Sequence, residues 1–128
     1  MRAYPRKLPT LPSWYTEAML DEITFRRNAE AAIESLKKAL IQAESEADFE
    51  VEEQNGVLNV VFEEPAAKFV ITPNTPVRQI WISALSTSFK LNWDSTTETF
   101  VLAKTGESFH PLVVRLINEH LGTEAIQQ

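Results

Sequence analysis

The 128-residue chain predicts an α+β fold. The expected form is a two-layer sandwich: an antiparallel sheet of five or six strands, with the N- and C-terminal helices packed on one face. Three observations carry this expectation. A long segment near the N-terminus repeats apolar residues at three- and four-residue spacing. The middle of the chain alternates apolar and polar residues in short runs separated by turn residues. A second helical segment closes the chain between a capping serine and a glycine. Helix, consecutive strands and helix pack as two layers, which leaves the far face of the sheet to water or a partner.

The elements follow in order. Residues 1–16 read as a proline-rich extension ahead of a single domain at 17–128. Met1 to Pro12 contains Arg2, Arg6 and Lys7, no acid, and three of the seven prolines, a composition suited to an extended tail. It lacks the apolar core of a signal peptide, and Trp14 and Tyr15 stand where they could pin it to the domain. A helix is expected from Thr16 to Ala43, with Phe25, Ala29, Ala32, Leu36 and Leu40 as its buried stripe and Glu34–Lys38 as a surface pair. Ala47 to Glu53 alternates as a first strand, Asn55-Gly56 supplies a hairpin turn, and Val57 to Glu63 returns with Leu58, Val60 and Phe62 inward. Lys68 to Thr72 is the third strand, followed by a loop punctuated by Pro73 and Pro76. Val77 to Ser83, Phe89 to Trp93 and Thr99 to Ala103 are the remaining strands. The last helix has Ser108 as N-cap, Pro111 in its first turn, Gly122 as its stop, and Phe109, Leu112, Val113 and Leu116 as its core face.

Composition narrows the function. The chain has no cysteine, so disulfides, thiolate metal sites and cysteine nucleophiles are excluded. The net charge is −6, which opposes phosphate backbones and makes nucleic acid a poor partner. No apolar run approaches the ~20 residues that span a bilayer. With two histidines and three glycines, the chain has no P-loop and no G-x-S-x-G nucleophile. His110 and His120 lack zinc-site spacing, and His120 near a helix end complements the dipole. The pair Glu63-Glu64 has nothing to position it for acid–base work, and Trp93 beside a turn reads as packing.

Two features remain. In the fourth strand, Ile80 and Ile82 facing the helices would turn Gln79, Trp81 and Ser83 outward. A large aromatic among polar side chains on an open sheet face has the form of a binding hot spot; equally, the tail or a long neighbouring side chain could cover Trp81. The second feature is the acidic run Glu44, Glu46, Asp48, Glu50, Glu52 and Glu53, with no base among them. A hard cation or a basic surface would relieve their mutual repulsion. The competing reading is an edge strand that uses charge to block aggregation. Carboxylates spaced along an extended strand do not wrap one ion, so any metal binding here is expected to be weak and exposed.

The segment FVITPNTPVRQIWISA, Phe69 to Ala84, resembles the signature strand pair of the frataxin family, whose hallmark is Q-I-W or Q-V-W. NGVLNVVF (Asn55 to Phe62), Lys90 to Trp93, TGESFHPLV (Thr105 to Val113) and DFEV (Asp48 to Val51) are similar to the family's neighbouring elements. The likeness runs from about Leu20 to Gly122. It implies a monomeric accessory protein of iron–sulfur cluster assembly that binds ferrous or ferric iron weakly through an acidic ridge. It further implies docking to a cysteine desulfurase and its scaffold protein, as activator or brake. Carried over, the ridge comprises Asp21, Glu22, Glu44, Glu46, Asp48 and Glu50, and the partner site comprises Gln79, Trp81, Ser83, Asn59 and Arg78. The implied compartment is a bacterial cytoplasm, with a mitochondrial matrix as the alternative.

The chain departs from the family pattern in four respects. Lys37, Lys38, Ile41 and Gln42 stand where the first helix usually carries further ridge acids. Val77 replaces an asparagine common two residues before the signature glutamine. The loop Leu85 to Phe89 lacks the usual glycine, and Leu91 or Asn92 stands in for an arginine ahead of the fifth strand's aromatic. The lysines favour a second reading, a frataxin-fold interaction module with no iron role. A ferroxidase is a third, but it needs carboxylates that converge on a di-iron centre, and strand spacing argues against that.

Overall fold

The computed structural model describes residues 17–45, 47–63 and 66–122. The expectations for residues 1–16, Glu46 and Glu64 lie outside these. α1 (Glu17–Glu44) is followed by β1 (Phe49–Gln54), β2 (Val57–Glu63) and β3 (Ala66–Asn74). A single 3-10 turn (Thr75–Val77) leads into β4 (Gln79–Ala84), β5 (Thr87–Asp94), β6 (Thr99–Val101) and α2 (Phe109–Leu121). The six strands form one antiparallel meander in sequence order. Every neighbouring pair is thus joined by a short local connection, as the alternating runs and turn residues predict.

Pleat alternation sorts the side chains. Leu58, Val60 and Phe62 of β2, Phe69 and Ile71 of β3, Ile80 and Ile82 of β4, Leu91 of β5 and Phe100 of β6 all point to one face and are buried. Phe25, Ala29, Ile33, Leu36 and Leu40 of α1 and Phe109, Leu112, Val113, Val114 and Ile117 of α2 complete a single core with them. Phe25 meets Phe100 edge-on at 5.9 Å, and His120 of α2 lies 4.5 Å from Phe62 and 6.0 Å from Phe69. Both helices therefore sit on the same face. Each fully buried Leu, Ile or Phe contributes about 1.5–3 kcal/mol of transfer free energy.

Several boundaries and assignments differ from the expectation. On α1, Ile33 is buried and Ala32 only partly so, because the stripe drifts around a helix of 28 residues. On α2, Val114 and Ile117 are buried while Leu116 packs at the margin. β3 continues through Pro73, which stands opposite Ile80. β4 begins two residues later than expected, since Val77 belongs to the 3-10 turn. β5 extends to Thr87 and Asp94. β6 stops at Val101, because Leu102 accepts hydrogen bonds from the amides of Thr105 and Gly106 in a tight turn. Glu34 makes its ion pair with Lys37, not Lys38. Ser108 holds the extended N-cap conformation without a side-chain capping bond, and Gly122 ends α2 in the left-handed conformation.

Candidate functional site

The alternation that buries Ile80 and Ile82 turns Gln79, Trp81 and Ser83 to the helix-free face. Strand register then fixes their neighbours. Trp81 stands between Thr72 of β3 and Lys90 of β5, and Gln79 stands between Asn74 and Asn92. Asn59 of β2 lies on the same face, opposite Val70. The Trp81 indole Nε1 donates to Gln79 Oε1 at 2.8 Å, and Gln79 Nε2 donates in turn to Asn92 Oδ1 at 3.1 Å. Lys90 Nζ sits 4.7 Å from the Trp81 ring centroid, within cation–π range.

Trp81 is therefore half-buried and held from two sides. The sequence anticipated either an open hot spot or an indole covered by a long side chain. Among the described residues, the long side chain is present and is Lys90. The cation that faces Trp81 is supplied by Lys90, its cross-strand partner. Leu91 is buried in the core and Asn92 bonds Gln79. Period-two alternation across a β4–β5 hairpin register would have identified Lys90.

Arg78 does not lie flat on this face. Its guanidinium Nε reaches α1 and donates to Asp21 Oδ2 at 2.9 Å. Asp21, one of the expected ridge acids, is thereby joined to a residue expected at the partner site.

The acidic edge is formed where α1 ends and β1 begins. An open groove of about 830 Å³ runs there, lined by Glu44, Asp48, Phe49, Glu50, Val61 and Glu63 among others. The carboxylates differ in what they already do. Glu44 Oε2 accepts the Val51 amide at 2.9 Å, so it closes a donor on the open side of the edge strand. Glu22 pairs with Arg26 at 3.0 Å on the helix surface. Asp48 and Glu50 are solvent-facing and form no hydrogen bond or ion pair among the described residues. Glu53 is taken by Lys37, 2.6 Å away, which also lies 3.6 Å from Glu34. The hydrogen bond to Glu53 holds the Lys37 ammonium above its ordinary pKa; partial desolvation opposes this and the charges of Glu34 and Glu53 reinforce it.

Among the described residues no three carboxylate or imidazole side chains converge on one point as a metal cage would require. What the edge offers is hard, monodentate, exposed oxygen donors, a set that suits weakly held hard cations. His110 and His120 take no part in it. No described helix is long and apolar enough to cross a membrane.

Comparison with known proteins agrees in extent with this architecture. Residues 18–123 match the model of the frataxin-like domain. The iron–sulfur cluster assembly protein CyaY of Pseudomonas fluorescens (strain Pf0-1) is 30% identical over 81 residues, covering 63% of this chain and 73% of that protein. The protein of the same name from Azotobacter vinelandii is also 30% identical over 81 residues, with the same coverage. Among solved structures, frataxin from Psychromonas ingrahamii superposes with a TM-score of 0.70 at 16% identity, covering 80% of this chain and 92% of that one. That likeness concerns the fold alone.

Proposed function

The chain belongs to the frataxin family and is a CyaY-like protein of iron–sulfur cluster assembly, and from that premise we propose that it acts as an accessory protein docking through its helix-free sheet face. The docking partner in this reading is the cysteine desulfurase–scaffold complex. Gln79, Trp81, Ser83 and Asn59 form the contact surface, with Lys90 supplying charge at its margin. The bacterial cytoplasm is the compartment, and the protein works as a monomer.

One observation carries the reading. Trp81 is a large aromatic on a face without a covering helix, and its ring is prearranged by Gln79 and Lys90 rather than left to rotate. Prearranged aromatics lose little side-chain entropy on binding, which is why they dominate interfaces. The decisive experiment is affinity capture of the desulfurase–scaffold complex by wild type and Trp81→Ala. Removal of an interface tryptophan is expected to weaken capture at least tenfold, since hot-spot truncations cost about 2 kcal/mol or more. Equal capture by a folded variant would remove the docking role.

The acidic edge serves in this reading as a weak iron-holding surface. Glu44, Asp48 and Glu50 form it, Glu46 is assigned to it by its place in the acidic run, and Asp21 and Glu22 form an outlying pair at the start of α1. Iron here is cargo, held by exposed oxygen donors, and no oxidation is assigned to the site. Titration with ferrous iron is expected to broaden the amide signals of Asp48 and Glu50 first, because their carboxylates have no partner among the described residues. Undisturbed signals there would favour the second reading, an interaction module without iron. Lys37 supports that alternative, since it already neutralises Glu53 and Glu34 at the margin of the edge.

A further inference from the structure

We propose that Arg78 is a positioning residue for the Trp81 face, and that Asp21 on α1 holds it in place; as a functional claim this rests on the docking reading above. Arg78 has φ 56° and ψ 46°, the left-handed conformation, which a residue with a Cβ keeps only where its surroundings over-determine it. Three donors of Arg78 do so. Its amide donates to the Thr75 carbonyl at 3.1 Å. Its guanidinium Nη1 donates to the same carbonyl, and its Nε donates to Asp21 Oδ2 at 2.9 Å. One side chain thus ties the end of the 3-10 turn to the first turns of α1.

The consequence lies one residue further on. The left-handed bend at Arg78 sets the direction in which β4 starts, and the first residue of β4 is Gln79. Both ends of the Gln79 carboxamide are committed, to the Trp81 indole at 2.8 Å and to Asn92 at 3.1 Å. A bend that relaxes to the ordinary β region would rotate Gln79 and withdraw the acceptor from the indole. Asp21, Arg78, Gln79 and Trp81 are therefore a chain of contacts from an acid on α1 to the aromatic on the sheet. An isolated surface ion pair stabilises little; this one acts by holding a backbone bend.

The test uses the full chain labelled with ¹⁵N and follows its indole N–H resonances, assigned with Trp81→Phe. The variants are Arg78→Gly, which keeps the left-handed bend accessible but removes the tether, and Asp21→Ala, which removes the acceptor and leaves α1 helical. Both are expected to move the Trp81 indole signal toward that of a solvent-exposed indole and to leave the Trp93 signal in place. Capture of the desulfurase–scaffold complex is expected to weaken about fivefold in each, the scale of one surface ion pair. An unmoved Trp81 signal in both variants overturns the positioning role, whatever happens to capture. A moved signal with unchanged capture supports the positioning and removes the docking reading instead. Loss of capture with an unmoved signal makes Arg78 a direct contact and overturns the proposal.

Discussion

The Lys90 ammonium lies 4.7 Å from the centre of the Trp81 ring, and the two residues are cross-strand partners in the β4–β5 hairpin. The apolar stem of a lysine covers a neighbouring surface while its charge stays in water. Lys90→Ala is therefore expected to expose the ring, whereas Lys90→Met keeps most of the cover. Acrylamide quenching of Trp81 fluorescence, in a Trp14→Phe/Trp93→Phe background, should rise for the alanine variant and stay near wild type for methionine. The lost cation–π contact itself is worth only about 0.5–1 kcal/mol at an exposed site, so stability should change little. Equal quenching in all three proteins would mean that the stem does not shield the ring.

Glu44 is the acid of the edge with a structural task. Its carboxylate accepts the Val51 amide, a donor on the outer side of β1, which is the edge of the sheet. Glu44→Ala returns that donor to water and is expected to cost about 1 kcal/mol in urea unfolding. Glu44→Gln retains an acceptor and should cost less. Amide hydrogen exchange at Val51 should accelerate in the alanine variant. If exchange there is unchanged, Glu44 does not guard the strand edge.

Much of this was legible in the chain because its signals are local. The Asn55-Gly56 turn, with both residues at positive φ, and the inward triplet Leu58, Val60 and Phe62 follow from pleat alternation and turn chemistry alone. The outward face of Trp81 followed from Ile80 and Ile82 in the same way. What escaped depends on contacts between distant positions. Lys90 above Trp81 needs the hairpin register, which in turn rests on Leu85 and Ser86, residues that carry no usual turn signal. The Asp21–Arg78 pair spans 57 positions, and Lys37–Glu53 joins a helix to an edge strand. The acidic run reads as uniform in sequence, yet among the described residues Glu44 and Glu53 have partners while Asp48 and Glu50 have none. No spacing rule separates them, because the difference is made by where α1 ends over β1.

The connection from β6 to α2 is clamped by a charged cluster. Arg115 Nε and Nη2 reach the two Glu107 oxygens at 2.6 and 3.0 Å, and Nη1 reaches Glu119 at 2.8 Å. The Arg115 hydrogen bonds hold the Glu107 carboxyl below the usual carboxylate range, with the Thr105 hydroxyl assisting against some desolvation. Unfolded Glu107 takes up its proton near pH 4, while folded Glu107 resists until lower pH. The unfolded state thus binds more protons in that interval, so this contribution is complete above pH ~4 and is lost as pH falls through the folded value. Arg115→Met should lower stability at neutral pH by about 1 kcal/mol, given the partial exposure of the pair. It should also flatten the acid limb of a plot of stability against pH. An acid limb identical to wild type would show that another carboxylate governs it.

The last prediction concerns the hairpin that presents Trp81 and Lys90. Its two turn residues, Leu85 at φ 52° and Ser86 at φ 72°, adopt the geometry that Asn55 and Gly56 adopt at φ 55° and 80° in the β1–β2 hairpin. Ala84 pairs with Thr87 across Leu85-Ser86 as Gln54 pairs with Val57 across Asn55-Gly56. Both turns therefore demand a left-handed backbone twice in succession, but only one has residues suited to it. A Cβ in that region is penalised by roughly 1–2 kcal/mol per residue, and leucine has no local polar group to offset this. Leu85 is 55% exposed, so replacing it removes little packing. Leu85→Asn with Ser86→Gly is expected to raise the unfolding free energy by about 1 kcal/mol, after the larger chain entropy of unfolded glycine is subtracted. The Trp81 indole resonance should stay in place, because the register is unchanged. A loss of stability in the double variant would mean that the Leu85 side chain contributes more against Phe89 and Leu116, which line the groove beneath it, than its strained backbone costs.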